Sequence, residues 1–404
     1  GGSNLSGFKL LISVIRGKRG NFFKFPPPSS KNELDKFFED YNNSVDKIIN
    51  KINSNPKLCT FYDVCLNKLI IEHMQNGLKN KIKDTFFGSI AFNKILNIKK
   101  PTLLISNQAS GYHYALGEQC RHNNINAMLI SHGTHVPHDN IWAKKEWDQH
   151  ARFMIKTHYP LVSVQTPWAE KFLIDHTQSE NIKTGPLLYS KHLNAEKRKR
   201  IKEKLFPNRN NKKIILHAAS PFGWYVFHPY VNLTHDEYIT HINHLIKSIE
   251  KMDGVFLAIR IRLKSFRGMS LDDIKSLLIK SDCYQIYTEG SFEEYLLGSD
   301  LLVSFSSTTI EEALQVKIPV LQYDPFNRYC HIPSTALNEI SKPQPSPIYY
   351  ISSYKDLLSG LNWIKSSHLC RDNSDISLDY SLHILDYSED WINQIVDNKL
   401  LGDI

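Results

Sequence analysis

The sequence is poor in the features that give a chain an immediate label. Its six cysteines, Cys59, Cys65, Cys120, Cys283, Cys330 and Cys370, never fall at a CxxC spacing. That argues against a zinc knuckle, and they are too sparse for a disulfide scaffold, so free thiols in a reducing cytoplasm are expected. No apolar run reaches the roughly 18 residues that a spanning helix needs. A signal peptide with its cleavage site is also lacking, so a soluble or peripheral chain is expected. Charge of one sign is scarce: 49 Lys+Arg stand against 41 Asp+Glu, a net +8 over 404 residues. This excess is too thin for a dedicated nucleic-acid binder but suits an anionic partner such as a nucleotide or a phospholipid surface. The basic stretch from Lys191 to Lys213 lacks the interleaved aromatics of a strand-binding groove. The chain opens Gly1-Gly2-Ser3 without Met, as a tag scar would, and is expected to be one module of a longer polypeptide.

What is present is an ordinary globular composition, 41% hydrophobic and 22% charged, over a length that exceeds what one core usually serves. Two domains or one large α/β unit follow. Residues Phe8 to Lys24 mix apolar and basic side chains, either as an interfacial helix or as a core element with solvated flanks. Pro26-Pro27-Pro28 then interrupts the chain. Leu34, Phe37, Phe38, Tyr41, Val45, Ile48, Ile49 and Ile52 recur at helical spacing, and further helices are expected over 61–76 and 86–96.

After Pro101 short apolar runs alternate with helical segments. Strands are expected at 102–107, 127–131 and 161–165, and again at 213–220, 255–262, 284–287, 300–305 and 319–323. Short buried strands alternating with helices mean parallel sheets covered on both faces. The stretch 191–213 reads as a linker helix between two lobes, and a final pattern over 381–401 suggests one or two closing helices. The expected organisation is an N-terminal lobe over 1–190 (a helical extension to 98, then a Rossmann-like core) and a C-terminal Rossmann-like lobe over 191–370. Helices over 371–404 would pack back across both.

The most informative segment is Ser304-Phe-Ser-Ser-Thr-Thr-Ile-Glu-Glu-Ala-Leu. A buried strand ends in small hydroxyl residues where a helix starts, so free N–H groups and hydroxyls converge on a spot fit for a phosphate. Ser306, Ser307, Thr308 and Thr309 are the expected contacts, with Glu311 placed to accept from ribose hydroxyls. The bland alternative is N-capping with dipole-compensating glutamates. Ser131-His-Gly-Thr-His-Val-Pro-His-Asp139 lies at another strand end, where open α/β sheets place their ligands. Its histidines, at steps of three in a loop, share no fixed face for a metal. His217 and Ser220 close the strand of 213–220, and Arg260 and Arg262 close that of 255–262. An arginine there suits a phosphate or carboxylate. Tyr112 and His113 could form an acceptor platform, and Asp139, Glu118, Asp236 and Glu237 are carboxylates from which sequence spacing cannot select.

The strand, Ser-Ser-Thr-Thr, Glu-Glu-Ala-Leu and Ile318-Pro-Val-Leu321 together resemble the donor-nucleotide element of glycosyltransferases with the two-Rossmann GT-B fold. The serine pair is similar to the phosphate-binding serines of bacterial sialyltransferases, polysialyltransferases and Kdo transferases. The order of elements extends this resemblance over about residues 100 to 365. His132-Gly133 resembles the His-Gly pair of surface-polysaccharide transferases, where a histidine serves as base or holds a sugar carboxylate. His228-Pro229 resembles the His-Pro motif of sialyltransferases but comes one element early, and Arg260-Ile-Arg262 stands where that motif would be.

The resemblance implies a metal-independent transferase without cofactor. It would use a CMP-activated Kdo or nonulosonate as donor and a bacterial surface glycan or lipid-linked glycan as acceptor, at the inner face of the cytoplasmic membrane. Other modules of a longer polysaccharide synthase would be its neighbours. A UDP- or CDP-linked donor, a non-hydrolysing sugar-nucleotide epimerase and a non-catalytic GT-B-like module remain alternatives.

Overall fold

The computed structural model describes residues 31–61, 63–98, 101, 103–109, 112–131, 136–138, 140–155, 158–176, 179–187, 193–218, 230–262, 270–338, 343–370, 378–387 and 390–391. The basic-apolar start and the triple proline lie outside these. Contacts divide the chain into two compact units, Gly1–Thr102 with Gly111–Ile125, and Leu103–Ser110 with Asn126–Ile404.

The first unit is helical. Helix α1 (Lys31–Ser54) buries Val45 and Ile52, two members of the stripe read from the sequence, and stacks Phe37 on Phe86 at 4.1 Å. The Tyr41 hydroxyl donates to the Met74 carbonyl at 2.8 Å. The helix expected over 61–76 is instead a small hairpin followed by a shorter helix. Strands β1 (Thr60–Phe61) and β2 (Val64–Cys65) pair antiparallel, and α2 (Asn67–Glu72) runs through a π turn into α3 (Lys79–Ile98). The hairpin closes at Asp63, whose φ of 63° is a left-handed conformation that Asp tolerates. Helix α4 (Tyr112–His122) completes the unit, with Gln119 donating to Ser89 of α3 at 3.1 Å.

The second unit holds two parallel sheets. In the first, β3 (Leu103–Ser106), β4 (Asn126–Leu129), β5 (Leu161–Val164) and β6 (Glu180–Lys183) pair in sequence order. All four residues of β5 are buried, Ser163 among them, which is why this strand reads as a mostly apolar run. Helices α5 (Ile141–Met154) and α6 (Pro167–His176) lie in the connections, and Asn140 caps α5 by accepting from Trp142 and Ala143 N–H.

The second sheet is built from β7 (Lys213–His217), β8 (Val255–Arg260), β9 (Tyr284–Tyr287), β10 (Leu301–Ser304), β11 (Val320–Tyr323), β12 (Thr335–Ala336) and β13 (Ile348–Ile351). The order across it is β12-β13-β11-β10-β7-β8-β9, parallel throughout. Counted from β7 and setting aside the two-residue β12 at the edge, this is the Rossmann order 3-2-1-4-5-6, with its switch point between β7 and β10. Helices α8 (His235–Ile249), α9 (Leu271–Leu277), α10 (Phe292–Leu297) and α11 (Thr309–Gln315) alternate with the strands. Capping boxes at Thr234/Glu237 and Ser270/Asp273 set the starts of α8 and α9. The fold is thus α/β with two parallel sheets, consistent with the expected GT-B class; the second sheet has the Rossmann order, while the first pairs its four strands in sequence order.

The basic stretch forms the expected helix as α7 (Ala195–Leu205), docked beside the second sheet, and two later segments differ from expectation. Arg198 donates to the Leu297 and Ser299 carbonyls, and Lys202 pairs with Asp300, whose carboxylate also accepts from Ile214 N–H. Strand β13 and helix α12 (Tyr354–Ile364) were not foreseen. Within the expected closing helices, the described residues 381–387 form a turn and then run without regular structure, whereas 390–391 are helical. The bonding of 381–387 goes outward: His383 accepts from the Trp168 indole at 3.1 Å and the Leu385 carbonyl accepts from Gln315 at 3.3 Å. No helix among the described residues is long and apolar enough to cross a membrane.

Candidate functional site

The switch point carries the hydroxyl-rich turn. Strands β7 and β10 pair with Val303 opposite His217, and the Ser304 hydroxyl donates to the Ala218 carbonyl at 2.8 Å. Thr309 approaches the same carbonyl at 3.5 Å, the Ser306 hydroxyl donates to the Val231 carbonyl, and the Ser307 hydroxyl accepts from Thr309 N–H at 3.3 Å. Ser306, Ser307, Thr308 and Thr309 are all half-buried. The four residues named from the sequence therefore sit together where a Rossmann sheet opens its crevice. Helix α11 is only seven residues long, so hydroxyls and turn amides, rather than a long helix dipole, dominate the electrostatics here.

Glu311 does not face outward as a ribose acceptor would. It is 1% exposed, and its Oε1 lies 3.5 Å from His331 Nε2. Its neighbour Glu312 has its carboxyl pushed up to about 7, chiefly by burial and then by Glu311 and Glu293.

Other residues named from the sequence lie elsewhere. His217 is fully buried with its ring packed on Tyr238 and His241 of α8, 5.6 and 5.1 Å away, so it serves the helix layer and not the crevice. Burial drives its pKa down to about 3. The Arg260 guanidinium donates to the Ile261, Tyr287 and Gly290 carbonyls and packs over Tyr295, so it ties β8 to β9. Arg262 is exposed just beyond it. Asp236 is an exposed first-turn carboxylate of α8. Tyr112, His113 and Glu118 belong to α4 of the first unit, where burial lowers the His113 pKa to about 4. His132, Asp139, Ser220, His228 and the side chain of Tyr112 lie outside the described residues.

The structure adds a cluster that the sequence did not disclose. Beyond β11, Asp324 gathers the N–H groups of Phe326, Arg328 and Tyr329 onto one carboxylate, turning the chain back toward β10. That turn delivers the Tyr329 hydroxyl to the centre of a buried network. It accepts from the Trp147 indole at 2.7 Å and lies 2.6 Å from His331 Nδ1 and 3.1 Å from His138 Nε2. His138 and Trp147 come from the first sheet's connections, while Tyr329, His331 and Glu311 come from the second. Around this cluster, Glu146 accepts from the Tyr230 and Val231 N–H groups, and Arg328 pairs through two nitrogens with Glu237. Burial raises the Tyr329 pKa well above its usual value, and burial followed by His331 lowers that of His138 to about 3. A signal was available in the sequence: Asp324 to His331 follows a strand end beside the switch point, the same position that drew attention to Ser306.

No family model matches the sequence, and no curated protein matches it. Among solved structures the chain is similar to the UDP-GlcNAc 2-epimerase of Neisseria meningitidis bound to UDP-GlcNAc, at 13% identity over 79% of this chain and 81% of that one, with a TM-score of 0.46. It is also similar to MnaA of S. aureus solved with UDP, at 11% identity, 79% and 80% coverage and a TM-score of 0.46. The Anabaena protein HepE in complex with UDP-glucose gives 12% identity, 68% and 72% coverage and a TM-score of 0.38. These are likenesses of fold.

Proposed function

We propose that the chain is a nucleotide-sugar enzyme that holds its donor phosphates on the Ser306–Thr309 turn and transfers the sugar to an acceptor hydroxyl. The observation that carries this reading is the turn's position: four adjacent hydroxyl residues at the switch point of a 3-2-1-4-5-6 sheet. The resemblance of Ser306 to Leu321 to the GT-B donor element agrees with it.

The donor we favour is a neutral sugar on a nucleoside diphosphate such as UDP, rather than a CMP-activated acidic sugar. An acidic sugar needs a cation for its carboxylate, and of the two arginines named for that role Arg260 already serves three backbone carbonyls, which leaves only the exposed Arg262 among the described residues of that pair. A second reading is a non-hydrolysing epimerase, which would convert the sugar nucleotide without a second substrate.

The test is to incubate the protein with UDP-GlcNAc, UDP-glucose and CMP-sialic acid, each with and without an oligosaccharide acceptor, and to follow the donor by NMR. Transfer predicts consumption of a UDP-sugar that accelerates with acceptor. An epimerase converts the sugar nucleotide without acceptor, and consumption of CMP-sialic acid alone overturns the donor assignment. An unchanged donor in every mixture counts against both reactions.

A further inference from the structure

Helix α8 is seated on the second sheet through histidines. His217, the last residue of β7, packs its ring on Tyr238 and His241 of the helix, and His241 stands edge-on to Tyr323 of β11 at 4.7 Å. Both imidazoles are fully buried, and none of their four nitrogens has a hydrogen-bond partner among the described residues. Further along α8, the half-buried His244 lies 2.8 Å through Nδ1 from the Tyr323 hydroxyl and stacks on Tyr354 of α12 at 4.0 Å. A buried N–H without an acceptor costs stability, so leucines at 217 and 241 would seat the helix more tightly than this pair does. What leucines lack is the capacity to take up protons once the helix lifts. The same helix is tied to the hydroxyl turn: Val231, in the segment that leads into α8, gives its carbonyl to Ser306. Ala218, next after His217, gives its carbonyl to Ser304 at 2.8 Å and faces Thr309 at 3.5 Å.

From this geometry we infer that His217 and His241 form an acid-sensitive latch that seats α8 on β7 and, through Val231 and Ala218, holds the Ser306–Thr309 turn in its binding-competent form. That the turn's ligand is a nucleotide rests on the function proposed above; the latch does not. While α8 is seated, both rings stay neutral. Burial lowers the pKa of each, and His217 and His244 push that of His241 the same way, as Lys247 does for His244. Tyr238 and Tyr323, the other titratable groups packed on the pair, are phenols whose protons burial holds in place. Once α8 lifts, each imidazole regains an ordinary pKa near 6.5. The lifted form then binds more protons than the seated one below that pH, so its population grows as pH falls. Between pH 7.5 and 5.5 each histidine contributes about tenfold to that growth and the two together about a hundredfold.

Amide hydrogen exchange of the full, ligand-free chain at pH 7.5 and 5.5, corrected for the intrinsic pH dependence of exchange, tests the latch. Protection of α8 should fall about a hundredfold in the parent and about tenfold in His241→Leu. In His217→Leu/His241→Leu it should be nearly constant, and in the parent β4 and β5 of the first sheet should lose less than α8 does. A parent whose α8 keeps its protection at pH 5.5, a loss shared equally by β4 and β5, or a His241→Leu chain that loses as much as the parent overturns the latch. Saturating UDP, which would bind only the seated form, should restore α8 protection at pH 5.5. UDP that protects the 304–309 peptide but leaves α8 exchanging as before overturns the link between helix and turn. UDP that changes no peptide counts against the nucleotide assignment alone.

Discussion

The Trp147 indole donates to the Tyr329 hydroxyl at 2.7 Å across 182 positions of sequence. It joins the helix between the second and third strands of the first parallel sheet to the loop that leaves the fifth strand of the second. With Glu146 holding Tyr230 and Val231, the same helix fixes two strand-end loops at once. Replacing Trp147 by Phe keeps an aromatic ring but removes the donor and part of the buried volume, leaving the buried Tyr329 oxygen one partner short. The expected loss is about 1–3 kcal/mol of stability, read from urea unfolding at pH 7.5. A variant as stable as the parent would mean that this bond adds nothing to the packing around it.

The buried histidines set the acid limit of the fold. Burial holds His217 and His138 down at about 3 and His368 at about 4. The native chain keeps these rings neutral while the unfolded chain protonates them below about 6.5. The unfolded state therefore binds more protons in that range, and stability falls as pH drops from 6.5 toward 3. His217→Leu should reduce the stability lost between pH 7 and pH 5 by about 2 kcal/mol. Parallel losses in both proteins would show that His217 does not titrate on unfolding.

Glu312 acts at the other end of the range. Its carboxyl, raised to about 7 by burial and by Glu311 and Glu293, is protonated in the native state where the unfolded chain is ionised. Stability then declines as pH rises from about 4.5 to about 7, and the penalty is complete above that. Glu312→Gln should be more stable than the parent at pH 8 by about 1–3 kcal/mol and close to it at pH 5. A variant less stable at pH 8 would contradict the shift.

Gly185 sits in the left-handed region at φ 64°, and a Cβ there would meet the Asp386 carbonyl at 2.5 Å. The segment around His383 that reaches back to Trp168 passes directly over it. Gly185→Ala should combine backbone strain with displacement of that segment, destabilising the chain by more than about 1 kcal/mol. Limited proteolysis should show earlier cleavage near 386 in the variant, and identical patterns would contradict the packing described.

Much of the fold was legible because parallel strands buried on both faces read as short apolar runs, of which Val255–Arg260, with its first five residues apolar and buried, is the clearest. The hairpin at 60–65 was not, since helical spacing of apolar residues continues through a turn set by one backbone angle at Asp63. Segment 381–387 was misjudged for a related reason: its bonds go to Trp168 and Gln315, partners that no local pattern reveals. At the site, the Ser306–Thr309 turn was legible because its hydroxyls are consecutive. The Tyr329 network was not, because its members at 138, 147, 311, 329 and 331 meet only once the two sheets are packed. Arg260 shows the converse: a residue type suited to an anion, already bonded to backbone.

The central claim is that a sugar nucleotide binds at the hydroxyl turn, and ligand that binds only the native state raises its melting temperature. The most direct measurement is the Tm of the parent chain and of Ser307→Ala/Thr308→Ala with UDP, CDP, UMP and CMP at equal concentration. The account predicts a clear rise with UDP in the parent and its loss in the double variant, with the ligand-free Tm little changed. A parent chain that responds to none of the four nucleotides, or a double variant that responds in full, would contradict it.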